Sequence, residues 1–409
     1  MATARIPTTH LPVDRIRTAL RRFTAWLARF GEESYDHQSF FAGRLGRRAK
    51  ALYYRQPLLG TLAVAPIIFC EAFAPSARRL FWIPQRFPIA DAHYAMGFAL
   101  LSRTLGEPAH YQRAVHFLEV LQATRCPGYE RPGWGYPFEW ETRGGTARTG
   151  TPFITTLPYA YEAFREVYEL DKDERWRQMM WSIAQHALLD YPDIETSPQA
   201  ATCAYTPSPQ DSGGVVNASA YRAFLLTRAA VDFSEPQYST TADRNLNFVL
   251  ESQNVDGSWF YSMDGERSFI DHFHTCFVLK ALAKIETLTD DSRCTEAIER
   301  GLDYYMQHLF DRQRLPKPFA QAPRLTVYRH ELYDYAECLN LATLLRGRFP
   351  QLDGILIRVL RDVLDRWQKR DGSFRSRKLL VGWDNVPMHR WAQAQMFRSL
   401  AFLLTRLTS

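Results

Sequence analysis

The chain has 409 residues and a formal net charge of +6, with 46% hydrophobic, 23% charged and 14% aromatic residues. This composition is ordinary for a globular protein except for its surplus of aromatic rings, which we expect to line a cavity or pack between helices. Six widely spaced cysteines without a C-x-x-C motif argue against a disulfide framework or a zinc ribbon.

No spacer divides the chain, so we predict a single domain over residues 41–409, preceded by an N-terminal extension over residues 1–40. The N-terminus lacks the apolar core and cleavage site of a signal peptide, and the cysteines suit a reducing compartment, so we expect a cytoplasmic protein.

The first predicted helix is basic and amphipathic. Its apolar residues recur at spacings of three and four, and they are Ile16, Leu20, Phe23, Leu27 and Phe30. Arginines surround them, so two interpretations stay open: packing on the domain, or peripheral contact with an anionic inner membrane. The region carries no nucleic-acid-reading motif, and we predict no nucleic-acid partner.

The most apolar run follows, from Leu58 to Cys70. It contains Pro66, precedes Glu71, and is shorter than the roughly 20 residues of a membrane-spanning helix. We therefore predict a buried helix here.

Repeated helix pairs account for the rest of the chain. Six segments rich in small and apolar residues predict inner helices, and they begin at Asp91, Thr151, Asn217, Asp271, Leu332 and Met388. More amphipathic segments alternate with them and predict outer helices, beginning at Tyr111, Glu174, Thr241, Thr295 and Ile355. A sixth outer helix is assigned to residues 44–75. The resulting prediction is an all-α (α/α)6 toroid of six inner and six outer helices.

Two turns that end outer helices, QNVDGSW from Gln253 and QKRDGSF from Gln368, carry the first family resemblance. The first closely resembles the QW-type repeat of squalene and terpene cyclases and protein prenyltransferases, which are helical toroids. Over most of its length, including GWGYPFEW from Gly133 and the helices from Asn217 and Asp271, the chain looks more like bacterial proteins labelled polysaccharide biosynthesis protein VpsJ. That resemblance implies surface polysaccharide production (exopolysaccharide, capsule or O-antigen) and no particular mechanism.

In a toroid, the loops that enter the inner helices gather at one mouth, so the first turns of these helices are expected to face a common funnel. The candidate acid/base residues are Asp271, His272, His274, Asp91, Glu139, Asp334 and His389. The candidate substrate-binding residues are His93, Tyr94, Trp134, Tyr136, Glu141, Arg143, Arg148, Asn217, Tyr221, Tyr333, Trp383 and Trp391. Asp271, His272 and His274 stand at positions i, i+1 and i+3, and side chains at this spacing rarely converge on one metal ion. We therefore predict no metal and no cofactor.

The leading hypothesis is a carbohydrate-active enzyme that acts on an oligosaccharide or lipid-linked glycan by acid/base chemistry. A carboxylate pair would support hydrolysis, whereas a Tyr/His pair would support lyase or epimerase chemistry. Two alternatives stay open. One is a non-catalytic glycan- or polyprenyl-binding component of an assembly complex, and the other is an isoprenoid enzyme without the D-x-D-D and D-D-x-x-D motifs.

Overall fold

The structure is a computed structural model that describes residues 11–408. Five N-terminal helices come first: α1 (Val13–Phe30), α2 (Ser39–Ala42), α3 (Arg44–Arg55), α4 (Pro57–Phe73) and α5 (Arg78–Phe81). The other helices are α6 (Pro88–Leu105), α7 (Pro108–Ala123), α8 (Leu157–Asp171), α9 (Glu174–Leu189), α10 (Val216–Phe233), α11 (Gln237–Glu251), α12 (His272–Thr289), α13 (Ser292–His308), α14 (Leu332–Leu344), α15 (Pro350–Asp362) and α16 (Ala394–Thr408). A π-helical turn continues α15 over Val363–Trp367, and another precedes α16 over His389–Gln393.

The helices form the predicted (α/α)6 toroid. The even-numbered helices from α6 to α16 form the inner ring, which closes where α16 packs on α6. Inner helices are buried on nearly every side, as in α6, where Ala90 to Leu101 are all buried. Outer helices bury only one stripe, such as Ala297, Ile298 and Leu302 of α13. The small-apolar and amphipathic patterns therefore identify the two layers correctly.

The sixth outer helix is α1, and its assignment to residues 44–75 is wrong. Helix α1 buries Ile16, Phe23 and Leu27 against the ring, and the Phe23 ring centroid lies 5.2 Å from that of Phe397 in α16. The amphipathic helix is thus confirmed in its packed form. The division at residue 40 stays a prediction, but α1 is an element of the ring rather than an appendage.

The two QW-like turns join α11 to α13 and α15 to α1, which are neighbouring outer helices. The Gln253 side-chain amide donates to the carbonyl of Ala297 in α13 at 2.9 Å, and Gln368 donates to the carbonyl of Ala19 in α1 at the same distance. A Cβ on Gly372 would lie 2.2 Å from the carbonyl oxygen of Arg22, so no larger residue fits without a shift of the backbone. The repeated contact confirms that α1 occupies the sixth outer position.

Helices α3 and α4 pack on each other outside the ring. The prediction of a helix over the Leu58–Cys70 run is confirmed, but its predicted burial is wrong, since Leu58 and Phe69 are 87% and 63% exposed. Helix α4 packs mainly on α3, so half of its surface has no partner among residues 11–408. No single described helix is long and apolar enough to cross a membrane, and the one pair that meets the criteria jointly, Pro57–Phe73 with Pro75–Phe81, is bent by 119°.

Short antiparallel strands brace the loops. They are β1 (Trp140–Thr142), β2 (Gly145–Ala147), β3 (Asp193–Ser197), β4 (Ala200–Cys203), β5 (Ile270–Asp271), β6 (Phe319–Gln321), β7 (Tyr328–Glu331), β8 (Arg377–Leu379) and β9 (Trp383–Asp384). The pairs are β1–β2, β3–β4 and β5–β6, and β7–β8–β9 form a three-stranded sheet. Strands β5 and β7 lead directly into the inner helices α12 and α14, and they therefore fix the positions of the first residues of these helices at the mouth.

Candidate active site

A carboxylate–histidine pair stands at the start of α12. Asp271 caps the helix by accepting a hydrogen bond from the backbone N–H of His274 at 2.9 Å through Oδ1. Its Oδ2 lies 2.6 Å from Nδ1 of the same histidine. Strand β5 pairs the backbone of Asp271 with that of Phe319 in β6, which fixes the position of the residue at the helix start. The pair results from ordinary N-capping with the histidine at the third helical position.

The geometry indicates the tautomer of His274. An ionised Asp271 only accepts hydrogen bonds, so Nδ1 carries the proton and Nε2 of the neutral ring keeps its lone pair. The Asp271 side chain is 2% exposed and that of His274 is 21% exposed, so the imidazole edge reaches solvent while its partner does not. Such an arrangement orients the imidazole and stabilises it once it gains a second proton.

The pair lines a narrow cleft between α10 and α12, whose cavity volume is about 10 Å³, enough for one water molecule. Asn217 of α10 also lines the cleft, with Tyr261 and Phe269 of the preceding loop. Asn217 is 4% exposed, and its Oδ1 has no hydrogen-bond partner among the described residues. A buried amide oxygen without a partner is costly, so a water molecule or a ligand hydroxyl or N–H is expected to satisfy it.

An aromatic belt continues from the cleft around the inside of the ring. The ring centroids of Tyr333 and Trp391 lie 4.7 Å apart in a stacked pair, and Phe273 lies 5.1 Å from Tyr333. The hydroxyl groups of Tyr221 and Tyr159 form a hydrogen bond with each other. The full belt, drawn from all six inner segments, is His93, Tyr159, Tyr221, Phe273, Phe277, Tyr333 and Trp391. Flat apolar faces of this kind suit the C–H face of a sugar ring or an isoprenoid chain.

Charged pairs close the floor of the barrel below the belt. Lys280 of α12 pairs with Glu337 of α14, and Lys284 pairs with Glu162 of α8. The Arg398 guanidinium lies 5.4 Å from the Tyr159 ring centroid. Burial, followed by the Arg398 charge, lowers the pKa of His93 well below its usual value, so this histidine is neutral and not a strong base.

The rim of the mouth holds a second buried ion pair. Arg390 donates two hydrogen bonds to Asp36, at 3.0 and 2.7 Å, and its guanidinium lies 4.5 Å from the Tyr136 ring centroid. Lys50 of α3 faces the same rim. Burial and then the Arg324 charge lower the pKa of Lys50 to about 7. These charges border the mouth on the side of α3.

Four predicted residues lie behind the inner ring, so the expectation that they face the funnel is wrong. His272 sits between α12 and α13, where Tyr305 donates to its Nε2 at 2.8 Å and burial lowers its pKa to about 3. His389 bonds Tyr94 at 2.6 Å against α1, and burial lowers its pKa to about 4. Asp91 accepts two hydrogen bonds from Arg86, and burial raises its pKa to about 7.

Asp334 lies near the pair but outside the cleft. It is fully buried, and neither carboxylate oxygen has a hydrogen-bond partner within residues 11–408. Burial, then the charges of Glu331 and Asp271, raises its pKa well above the usual value. Burial therefore favours the protonated form of Asp334, which lies outside the cleft and contributes no second carboxylate to the mouth.

The candidate residues of the segment from Cys126 to Gly150 divide between core, rim and surface. Trp134 is buried and donates its Nε1–H to the carbonyl of Leu121 at 2.8 Å, so its role is structural. Glu139 pairs with Arg47 of α3, with Glu141 3.9 Å from the same guanidinium. Arg143 pairs with Glu266 on the surface, and Arg148 is exposed.

Trp383 lies elsewhere, beside Trp367 in a separate groove lined by Tyr335, His330 and Lys378. The prediction that Trp383 faces the funnel is therefore wrong.

Several residues of the mouth are absent from the sequence-based list. They are Asp36, Lys50, Tyr159, Tyr261, Phe273, Phe277 and Arg390. The helical period identifies some of them, since Phe273 and Phe277 lie four residues apart on the face of α12 that carries His274. Among residues 11–408, no group of three His, Cys, Asp or Glu side chains is arranged to hold a metal ion.

Comparison with known proteins yields structural similarity only. No family model matches the chain, and no curated protein matches it. The cellobiose 2-epimerase of Bacillus thermoamylovorans aligns with a TM-score of 0.62 and 9% identity over 78% of this chain and 87% of its own. The cellobiose 2-epimerase of Spirochaeta thermophila aligns with a TM-score of 0.60 and 13% identity, over 79% of this chain and 86% of its own. The GH76 α-mannanase of Bacteroides thetaiotaomicron aligns with a TM-score of 0.57 and 9% identity, over 78% of this chain and 85% of its own. At these identities, the likeness shows a common (α/α)6 fold.

Proposed function

We propose that the chain is a carbohydrate-active enzyme in which His274, oriented by Asp271, moves a proton to and from a sugar. The observation that carries the proposal is the Asp271–His274 pair opening into a cleft with the unpartnered Asn217 oxygen and the aromatic belt. The fold is shared with sugar epimerases and a mannanase, which supports a glycan substrate.

Proton abstraction fits the site better than glycosidic hydrolysis. Nε2 of His274 takes a proton from the carbon next to a carbonyl or carboxylate, and the electron pair of that C–H bond forms the enolate. Returning the proton gives an epimer or isomer, whereas loss of the β-oxygen gives an unsaturated sugar. Hydrolysis requires two carboxyl groups flanking the bond. Here, both oxygens of Asp271 hold His274, and Asp334 is buried.

We further propose a cytoplasmic role in surface polysaccharide assembly, on an oligosaccharide or lipid-linked glycan. The support is the resemblance carried by the segments from Gly133, Asn217 and Asp271. In producing cells, Asp271→Asn and His274→Ala are expected to abolish the polymer while the folded protein accumulates at normal levels.

The chemical test is deuterium exchange. The purified protein is incubated in D2O with cellobiose, mannose and uronate oligosaccharides, and carbon-bound deuterium is measured by NMR. We expect incorporation with one of them, and a loss of about 10²- to 10⁴-fold in His274→Ala, the usual effect of removing a general base. His308→Ala, which removes an exposed histidine of α13, is the matched control and keeps full exchange.

Two results contradict the proposal. Incorporation of ¹⁸O from labelled water into a new reducing end, without C–D formation, would indicate hydrolysis. Tight binding of a polyprenyl phosphate in the absence of any sugar exchange would favour the second candidate, an isoprenoid-binding protein, which the aromatic belt supports.

A further inference from the structure

The outer face of α4 is an apolar stripe exposed to solvent. Leu58, Leu62, Phe69 and Phe73 are spaced by four, seven and four residues, which places them on one side of the helix. Leu62 is 72% exposed and Phe73 is 59% exposed, and the Phe69 and Phe73 rings pack together at 4.9 Å on the surface. The opposite side of the helix buries Gly60, Ile67 and Glu71.

Two more large apolar side chains are exposed past the bend after α4. Leu80 and Ile83 are 80% and 67% exposed. We call the six side chains the apolar patch: Leu58, Leu62, Phe69, Phe73, Leu80 and Ile83. Soluble proteins rarely leave a contiguous apolar surface of this kind open, and such surfaces mark protein or membrane contacts.

Exposed positive charge lies on α3, the helix on which α4 packs, and next to Leu80. Between Asp36 and Glu71 the sequence contains five Arg or Lys residues and no Asp or Glu. Arg44, Arg48 and Arg55 of α3 are exposed, as is Arg79 beside Leu80. None of these four arginines forms an ion pair within the described part of the chain. An apolar face bordered by unpaired arginines complements an anionic lipid surface.

Buried ion pairs fix the apolar patch to the ring. Glu71 of α4 accepts a hydrogen bond from Arg377 of β8 at 2.6 Å, and Arg78 of α5 pairs with Asp384 of β9 at 2.7 Å. The arginine of each pair is at most 4% exposed. The side chains of the patch are therefore presented in a fixed arrangement. Arg47 of α3 forms an ion pair with Glu139 at the rim of the mouth. This ion pair connects the surface to the mouth.

We propose that this surface docks the protein on an anionic lipid bilayer, with α4 lying along the headgroup–acyl boundary and the four arginines against lipid phosphates. Helix α1, the other amphipathic candidate, buries its apolar face in the ring. The inference goes beyond the chemistry of the cleft and does not depend on it.

Vesicle flotation of the full-length protein tests the proposal. We expect binding to vesicles of phosphatidylcholine with 30% phosphatidylglycerol, at least tenfold weaker binding to pure phosphatidylcholine, and release by high salt. The double variant Leu62→Asp/Phe69→Asp loses binding. Its matched control, Val231→Asp/Val255→Asp, places the same charges at two exposed apolar sites of the third repeat and binds like the wild type. Circular dichroism confirms that both variants are folded.

The charge is tested separately with Arg44→Glu/Arg48→Glu/Arg55→Glu, which is expected to lose the preference for anionic vesicles. Absent vesicle binding by the wild type would overturn the proposal, as would equal binding by the Leu62/Phe69 and Val231/Val255 variants. A dimer in light scattering that the Leu62/Phe69 variant dissociates, without vesicle binding, would identify the apolar patch as a self-association surface instead. Asp271→Asn binds vesicles normally, which separates this result from the proposed function.

Discussion

His272 and His274 are two residues apart on α12, and their side chains point to opposite sides of the helix. A separation of two residues turns the side chain by about 200°, so only one of the two can face the cleft. His274 faces the cleft and Asp271, whereas His272 faces α13 and bonds the Leu309 carbonyl at 3.0 Å. The density of polar residues in the sequence indicated this helix start as the candidate site, but the direction of each side chain required the helix orientation.

The same limit explains the misplaced Asp91, Tyr94 and His389. Each stands near the start of an inner helix, as predicted, but its side chain points outward to α1 or to Arg86. Inner helices carry polar groups on both sides, because their outer face must also be joined to the second layer. Sequence pattern alone does not distinguish those two faces.

At the residue scale, the buried histidines predict acid sensitivity. The pKa of His389 is about 4 in the folded protein and 6.5 in the unfolded chain, so the unfolded state binds an additional proton below pH 6.5. The free energy of unfolding is therefore expected to fall by about 2 kcal/mol between pH 8 and pH 5 through this group.

The measurement is urea unfolding at both pH values for the wild type and His389→Asn. The asparagine keeps a donor and an acceptor for Gly31 and Tyr94 but does not titrate, so its pH dependence should be smaller by that amount. The raised pKa of Asp91 acts in the opposite sense, and it cancels in the difference between the two proteins. An identical pH dependence would contradict the assignment.

At the scale of elements, the QW-like turns carry the most specific sequence signal. Asp256 and Asp371 each accept two hydrogen bonds from a serine two residues later, at 3.0 and 2.7 Å for Ser258 and 2.9 and 2.7 Å for Ser373. Their equivalent geometry justifies the fold assignment from sequence. The amphipathic pattern of α1 was equally clear, but the contact between Gln368 and Ala19 that places it in the ring joins residues 349 positions apart. Such a pairing leaves no local pattern.

Gly372→Ala is predicted to be strongly destabilising for two reasons. The residue has φ +101°, where an alanine costs roughly 1–2 kcal/mol, and the new Cβ would also collide with the Arg22 carbonyl. Gly265→Ala is the matched control, because its φ of +77° is similarly left-handed but nothing lies within 4 Å. We expect Gly372→Ala to lower the unfolding free energy more than Gly265→Ala in chemical denaturation. Equal losses would show that the carbonyl contact contributes nothing.

At the scale of the whole molecule, the ring closes between its first and last helices. Phe23 of α1 is fully buried and contacts Phe374, Phe397 and Tyr94, so it joins the sixth repeat to the first. Phe30, seven residues further along the same helix, is 43% exposed. These two residues therefore allow a test of how much ring closure stabilises the protein.

Phe23→Ala is expected to cost about 3–5 kcal/mol, the usual range for removing a buried phenylalanine. Phe30→Ala, the control at a half-exposed site of the same helix, is expected to cost much less. Both values come from denaturant unfolding, with the slope of the transition as a check that the same surface is exposed. If the two variants lose similar stability, α1 does not hold the ring closed.

The position of α1 also has a consequence for synthesis on the ribosome. Its partners Phe374, Gln368 and Phe397 emerge last, 349 residues after Ala19 in the case of Gln368. At 5–20 residues per second, translation leaves the apolar face of α1 uncovered for roughly 20–70 seconds. During that time, five of the six helix pairs can form, but α1 cannot pack until the last segment of the chain has been synthesised. Nascent chains of this protein are therefore expected to depend on a chaperone that shields their N-terminus.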